Sequence, residues 1–288
     1  MAWAGAGLDR VAPLVASEFD PAIAAHYRHD PERDRLETWA RLEGMRTREL
    51  LGRFLPAPPA VVLDIGGARG AYALPLAQEG YEVHLIDPYM PHVEAATAAS
   101  AAQPDAPLAS VALGDARELP FADASADAVL LFGPLYHLPA AADRAHALAE
   151  ACRVLRSGGV VLAAGISRFA STFDGVRLGL IADPTFEGIV EGDLRDGVHR
   201  NPDPDGRPEW FTLSYFHRPE ELRDEFSTAG LRDVQVVAIE GPGSFQNLGA
   251  LLDDPTARTA VLGAIRRVET EPTLMGASAH LMAIGHTP

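Results

Sequence analysis

"VLDIGGARGAYA", residues 62–73, is an apolar run that reaches Asp64 and then breaks into Gly66, Gly67 and Gly70. Val62, Leu63 and Ile65 suit a buried strand, where an unpaired carboxylate is costly, so Asp64 calls for a partner. Glycines between a first strand and a first helix let backbone amides approach a ligand, with the helix N-terminus behind them. A dinucleotide fingerprint needs G-x-G-x-x-G and seats a pyrophosphate on the helix dipole. Reading from Gly66, this stretch gives G-G-A-R-G, and an acid two residues ahead repels pyrophosphate. It suits a cationic head instead. Asp64 is therefore expected to face the ammonium of an amino-acid-bearing cofactor, directly or through loop amides and water.

Strands and helices alternate downstream. Val61–Asp64 reads as a strand, Ala71–Glu79 as a helix, Glu82–Asp87 as a strand and His92–Ala102 as a helix. Ser110–Leu113 and Ala128–Phe132 read as strands, Ala140–Leu155 as a helix and Val160–Ala164 as the next strand. Short β-rich runs separated by helices predict a parallel sheet covered on both faces. The pattern lapses from Ser167 to Ser214, a Gly-, Pro-, Asp- and Arg-rich stretch too long for an ordinary connection. It resumes at "HRPEELRDEFSTAG" (217–230), where Pro219 opens a helix and Gly230 stops it. Val234–Glu240 and His280–Gly285 are the closing strands. Upstream, Asp34–Leu55 places Leu36, Trp39, Leu50 and Phe54 on one helical side, and "PAPP" (56–59) ends it. Residues 1–17 carry no pattern.

Composition removes several functions. With 288 residues, 47% of them hydrophobic, the chain can bury a full core. No apolar stretch approaches a membrane span, and neither a secretory signal nor a membrane role is expected. A lone Cys152 fits a reducing cytoplasm. A net charge of −16 repels phosphate backbones, against a nucleic-acid partner. All 24 basic residues are arginine, which excludes a Schiff-base, phosphate-loop or general-base lysine. The Ala, Gly, Pro and Arg bias points to a GC-rich bacterial genome.

The order of these segments resembles class I methyltransferases that use S-adenosyl-L-methionine (SAM). "VLDIGGARG" is similar to their first motif, which implies that Asp64, Gly66, Gly67, Ala68 and Gly70 surround SAM. Ala68 stands where the family usually has its second glycine, and Pro75 sits early in the first helix. "VHLIDP" (83–88) resembles the second strand, which places Asp87 at the ribose hydroxyls with Pro88 beside it. "GDARELPF" (114–121) resembles the adenine segment, with Asp115 toward the exocyclic amine and Ala116 offering backbone. "DAVLLFGPLYHL" (127–138) resembles the fourth-strand motif that passes beneath the methyl donor through Phe132 and Gly133. "RVLRSGGVVLAA" (153–164) resembles the fifth-strand approach, and Tyr27 in "AAHYRHD" resembles an N-terminal tyrosine that covers the cofactor. The match spans roughly residues 60–166 and recurs in the last strand pair, and "GPLYHL" points to the small-molecule branch.

The resemblance implies an α/β, Rossmann-like, doubly wound, seven-stranded and mostly parallel sheet, with a helical N-terminal segment and a lid insertion after the fifth strand. A cap (1–56) would precede a SAM-binding domain (57–288) whose lid is 168–216. Methyl transfer is an in-line displacement that needs alignment above all, worth roughly 7–11 kcal/mol. A base helps where the acceptor keeps its proton. His137, His199 and His217 are the candidate bases, with activity expected to fall below about pH 6.5, and Tyr136 is the candidate orienting group. Arg168, Arg200, Trp210 and Tyr215 are the candidate binders of a small-molecule acceptor. No metal is expected, because the acids near His199 and His217 (Asp193, Asp196, Asp203, Asp205) are scattered through a Pro/Gly-rich stretch. A SAM-binding relative that regulates or runs another reaction is an alternative. An NAD(P) oxidoreductase is another, weakened by the missing lysine and fingerprint.

Overall fold

Residues at alternate positions of the central strands face opposite sides, and each side is apolar. The computed structural model describes residues 20–30 and 33–288, so residues 1–17 and the start of the expected cap lie outside the described residues. In chain order the elements are α1 (Pro21–Tyr27), α2 (Arg41–Phe54), β1 (Val61–Ile65), α3 (Ala73–Gln78), β2 (Glu82–Asp87), α4 (Met90–Ala101) and β3 (Ser110–Leu113). Then come β4 (Ala126–Leu131), α5 (Pro134–His137), α6 (Ala141–Val154), β5 (Leu155–Ser167), α7 (Ala170–Leu178), α8 (Pro184–Asp196) and β6 (Val198–His199). The chain closes with β7 (Ser214–His217), α9 (Pro219–Thr228), β8 (Arg232–Ala238), α10 (Gly249–Asp253), α11 (Pro255–Val268), α12 (Pro272–Met275) and β9 (His280–His286).

β3, β2, β1, β4 and β5 lie side by side and parallel. β9 runs antiparallel along the far edge of β5, and β8 pairs antiparallel beyond it. Leu63, Ile65, Val129, Leu131, Val161 and Ala163 pack on one face with α6 and α9. Val62, Ala128, Leu130, Val160 and Leu162 pack on the other with Leu50 and Leu51 of α2. Each such valine, leucine or isoleucine contributes about 1.5–3 kcal/mol of burial, and with both faces apolar the strand register is fixed.

Three expectations need correction. The sheet has nine strands, not seven, because β6 and β7 form a hairpin whose Phe216 and His217 pair with Ile166 and Ser167 at the end of β5. The stretch after β5 is not patternless: α8 buries Phe186, Ile189 and Val190, at helical spacing, with Trp210 in a small core of its own. The expected helix over 34–55 is broken, since Asp34 is left-handed (φ 54°) ahead of a short 3-10 turn and α2 begins only at Arg41. Trp39 falls in that break and is 75% exposed, so it does not join the Leu50 face. Pro75 sits in the first turn of α3, where its missing N–H costs no hydrogen bond.

Candidate active site

Strand order reverses between β1 and β4, so the loops leaving those strands diverge and open a crevice at the carboxyl edge of the sheet. A cavity of about 610 Å³ occupies that edge. Its floor includes Asp64, Gly66, Gly67, Ala68, Asp87, Pro88, Asp115, Ala116, Phe132 and Gly133. Gly70 alone of the expected cofactor loop does not line it; its φ of 86° turns the chain into α3.

The loop's glycines are required sterically. A Cβ on Gly67 would lie 2.7 Å from Asp64 Oδ2, and one on Gly66, at φ 70°, would lie 2.8 Å from Pro134 Cδ. Ala68 holds a left-handed φ of 47° without glycine's freedom, and its amide donates to Asp87 Oδ2 at 2.9 Å. Asp87 also accepts from Tyr89 N–H (2.9 Å) and from His92 Nδ1 (3.1 Å), so its carboxylate is held rigidly at the loop. It caps the turn into α4 and lines the cavity at once.

Asp64 is 1% exposed and its Oδ2 has no hydrogen-bond partner. Burial, and then the charge of Asp87, push its pKa up to about 7, while the Ala73 amide offsets part of the rise. Asp115 is engaged differently: Arg117 clasps both its oxygens (2.9 and 2.6 Å) and the Arg117 amide adds a third bond. Those bonds outweigh burial and hold the Asp115 carboxyl below its usual range.

Tyr27 closes the cavity from α1. Its hydroxyl shares a 2.7 Å hydrogen bond with His137 Nε2, and its ring packs edge-on against His92 and His137. Tyr136 donates to the Phe132 carbonyl at 2.7 Å and also lines the cavity. Burial, then the proximity of His26 and His92, lower the His137 pKa to about 3. His137 is thus neutral across the physiological range, and the activity loss expected near pH 6.5 does not belong to it in this state.

The other candidates are placed elsewhere or otherwise occupied. His199 lines the cavity, but Asp193 Oδ2 (3.0 Å) and the Trp210 carbonyl (2.7 Å) take its two ring nitrogens while it stacks on Phe216. His217 is fully buried outside the cavity lining, 3.3 Å from Glu225; burial lowers its pKa and Glu225 opposes that. Arg168 is also buried outside it, bonded to the Phe216 carbonyl (2.7 Å) and Glu221 (2.6 Å). Tyr215 is covered by the Arg144 guanidinium at 3.7 Å, and Arg200 is solvent-exposed near Asp196. Only Trp210 among the four proposed acceptor binders faces the cavity, its ring against Phe186.

The sequence reading missed one wall. Arg35, Glu43 and Thr47 reach the cavity from the N-terminal segment, as do Ala279 and His280 from the start of β9. Arg35 clasps Glu43 (2.5 and 2.8 Å), and His280 Nδ1 donates to Glu240 at 2.5 Å and lies 3.6 Å from Glu43. Burial disfavours a charged His280, but Glu43 and Glu240 outweigh it and raise its pKa to about 9. Glu43, Glu240 and His280 bring donor atoms within 4.8 Å of one another, close enough for a cation. Arg35 already occupies Glu43, and Ser278 and a backbone amide occupy Glu240, so the charges are internally matched. No local motif marks these residues, because they meet only through the fold. His26 was equally unmarked, whereas Phe211, packed on it at 5.1 Å, is one of the aromatic side chains after β5 that the sequence offered for stacking on an acceptor, and it lines the same cavity.

The site fits SAM: a buried carboxylate with one unpartnered oxygen faces the loop where a cationic amino-acid head belongs, and the glycine cradle leaves room beside it. Residues 63–163 match a family model described as a methyltransferase domain. An uncharacterized methyltransferase of Mycobacterium tuberculosis is 35% identical over 111 residues, 38% of this chain and 42% of the relative. The O-methyltransferase resE of Aspergillus sclerotiorum is 30% identical over 155 residues, 54% of this chain and 57% of the relative. The chain thus spans about two fifths to just over half the length of these curated relatives. A solved SAM-dependent methyltransferase of Thermotoga maritima, described as a possible histamine N-methyltransferase, superposes with a TM-score of 0.55 at 18% identity. That alignment covers 92% of this chain and 99% of that one and establishes the fold. Residues 63–163 accordingly match a methyltransferase domain set in a fold that solved SAM-dependent methyltransferases share, and the geometry of the site fits S-adenosyl-L-methionine as its cofactor.

Proposed function

We propose that the protein transfers a methyl group from SAM to an oxygen or nitrogen atom of a small-molecule acceptor, in the cytoplasm. The observation that carries this reading is a single cavity that joins the Asp64–Asp87 loop to an aromatic wall built from the segment after β5. SAM supplies an electrophilic methyl on a sulfonium. Asp64 holds its ammonium head, Asp87 and Pro88 its ribose, Ala116 its adenine edge, and Phe132 and Gly133 lie beneath it. Asp115 acts through Arg117 as a rigid rim of that pocket.

Residues 168–216 serve as the lid over the acceptor in a 57–288 catalytic domain, and residues up to 56 form the cap that brings Tyr27. Trp210, Phe186 and Phe211 enclose an apolar acceptor body, and Tyr136 and His137 border the reacting atom. A neutral His137 accepts a proton only as it leaves the acceptor, so positioning is the protein's larger contribution. The test is incubation with isotopically labelled SAM and a metabolite extract, read by mass for a gain of one methyl. Bound but unconsumed SAM across extracts from several sources favours a SAM-binding relative that does not methylate. NADH binding without SAM binding overturns the ligand assignment.

A further inference from the structure

We propose that His280 anchors the acceptor, its Nε2–H donating to an uncharged carbonyl-type oxygen at the end remote from the methylated atom. The proposal rests on the methyltransferase reading. His280 lines the cavity, its side chain 23% exposed, while its Nδ1 is committed to Glu240. Among the described residues nothing hydrogen-bonds its Nε2.

The groups around it are saturated. Arg35 forks onto both oxygens of Glu43; Glu240 Oε2 accepts from Ser278 (2.9 Å) and from the His280 amide (3.0 Å). What remains is one N–H donor held in a fixed direction and kept protonated by two buried carboxylates. Arg35, Glu43, Glu240 and His280 cancel in formal charge, so a full anion gains little net attraction to offset its desolvation. A carbonyl oxygen takes the bond at smaller cost.

Position separates this donor from the cofactor. β9 lies two strands from β4 and three from β1, hence about 10 Å and about 14 Å away laterally. The carboxylate of SAM shares a carbon with the ammonium assigned to Asp64 and cannot span that gap. Ile166, paired with His280 across β5 and β9, and Met282 make the adjoining surface apolar. An acceptor that reaches both ends is therefore extended and carries a neutral oxygen on an otherwise apolar body.

The test uses full-length protein saturated with S-adenosylhomocysteine and two probes that differ by one oxygen, chroman-4-one and chroman. Wild type should bind the ketone on the order of 10-fold more tightly, the usual worth of a hydrogen bond to a charged group. His280→Leu should erase the preference, His280→Gln should restore part of it, and S-adenosylhomocysteine affinity should hold in both. Should His280→Leu not fold, Glu240→Gln keeps the ring but removes one of the two carboxylate charges that hold it protonated and should shrink the preference. Equal or absent binding of the two probes to wild type, or a preference surviving His280→Leu, overturns the proposal. Weakened S-adenosylhomocysteine binding in folded His280→Leu also overturns it, by giving the donor to the cofactor carboxylate. Failure of wild type to bind either SAM or its product would instead sink the methyltransferase reading.

Discussion

Asp64 shows how much a single residue can carry. Its position ahead of three glycines marked it in the sequence because strand-end acids are costly unless matched. The structure adds that Oδ2 is unpartnered and that the pKa stands near 7 rather than at the ordinary 3.8. Without cofactor, the folded state holds this proton more tightly than the unfolded state. The resulting stability is full below about pH 4 and is lost as pH rises through 7, on the order of 4 kcal/mol in all. A cationic ligand selects the ionised form, so SAM affinity should rise by about ten-fold per unit from pH 5 to 7 and then level off. Calorimetric titration across that range checks it, and Asp64→Asn should bind weakly with a flat profile. His137 predicts the opposite kind of profile. With its pKa lowered to about 3, single-turnover rates should show no histidine limb near pH 6.5. A limb there that disappears in His137→Ala would mean that ligand binding restores its basicity.

At the level of elements, the sequence disclosed whatever repeats locally. β1, β2 and β4 are short apolar runs, and α9 carries its own start and stop signals, so their limits were legible within a residue or two. The stretch after β5 was not, because its many Gly, Pro and Asp residues mask an ordered pair of helices and a hairpin. α8 buries only Phe186, Ile189 and Val190 as its apolar stripe, too narrow to stand out, and its stability depends on a polar clasp: Asp193 to His199 to the Trp210 carbonyl. His199 therefore reads as a tie within that segment rather than a free base. His199→Ala leaves the buried Asp193 carboxyl without its hydrogen-bond partner, a change that typically costs about 1–3 kcal/mol. The expected result is faster hydrogen exchange across residues 184–217 with SAM affinity preserved. If exchange is unchanged and only the chemical step slows, His199 belongs to the catalytic apparatus after all.

For the whole molecule, the N-terminal segment and the segment after β5, proposed above as cap and lid, line two sides of one cavity. Tyr27 of α1 is tied to His137 beneath it, and Thr212 of the post-β5 segment donates to the Ala22 carbonyl at 2.9 Å. Arg28 reaches Asp205 at 2.8 Å, an exposed pair that adds little by itself. The aromatic wall proposed for the acceptor (Phe186, Trp210, Phe211) lies entirely in the segment after β5, whereas Asp64 and Asp87 lie at the ends of β1 and β2 with the glycine loop between β1 and α3. Replacing residues 170–213 by a short linker should therefore abolish acceptor turnover while the sheet still binds SAM. Binding should not be wholly unaffected, since α1 loses its Thr212 bond while Tyr27 keeps its bond to His137 and its ring contact with His92. A loss of less than about ten-fold in SAM affinity is expected, the worth of one or two neutral hydrogen bonds. Titration of the excised variant with SAM, beside Thr212→Val in the intact chain, separates the two contributions. Thr212→Val should reproduce the small loss in affinity and leave turnover largely intact. If SAM binding disappears from an excised protein whose central sheet still unfolds cooperatively, the segment is part of the cofactor pocket, and the division into cofactor floor and acceptor lid must be redrawn.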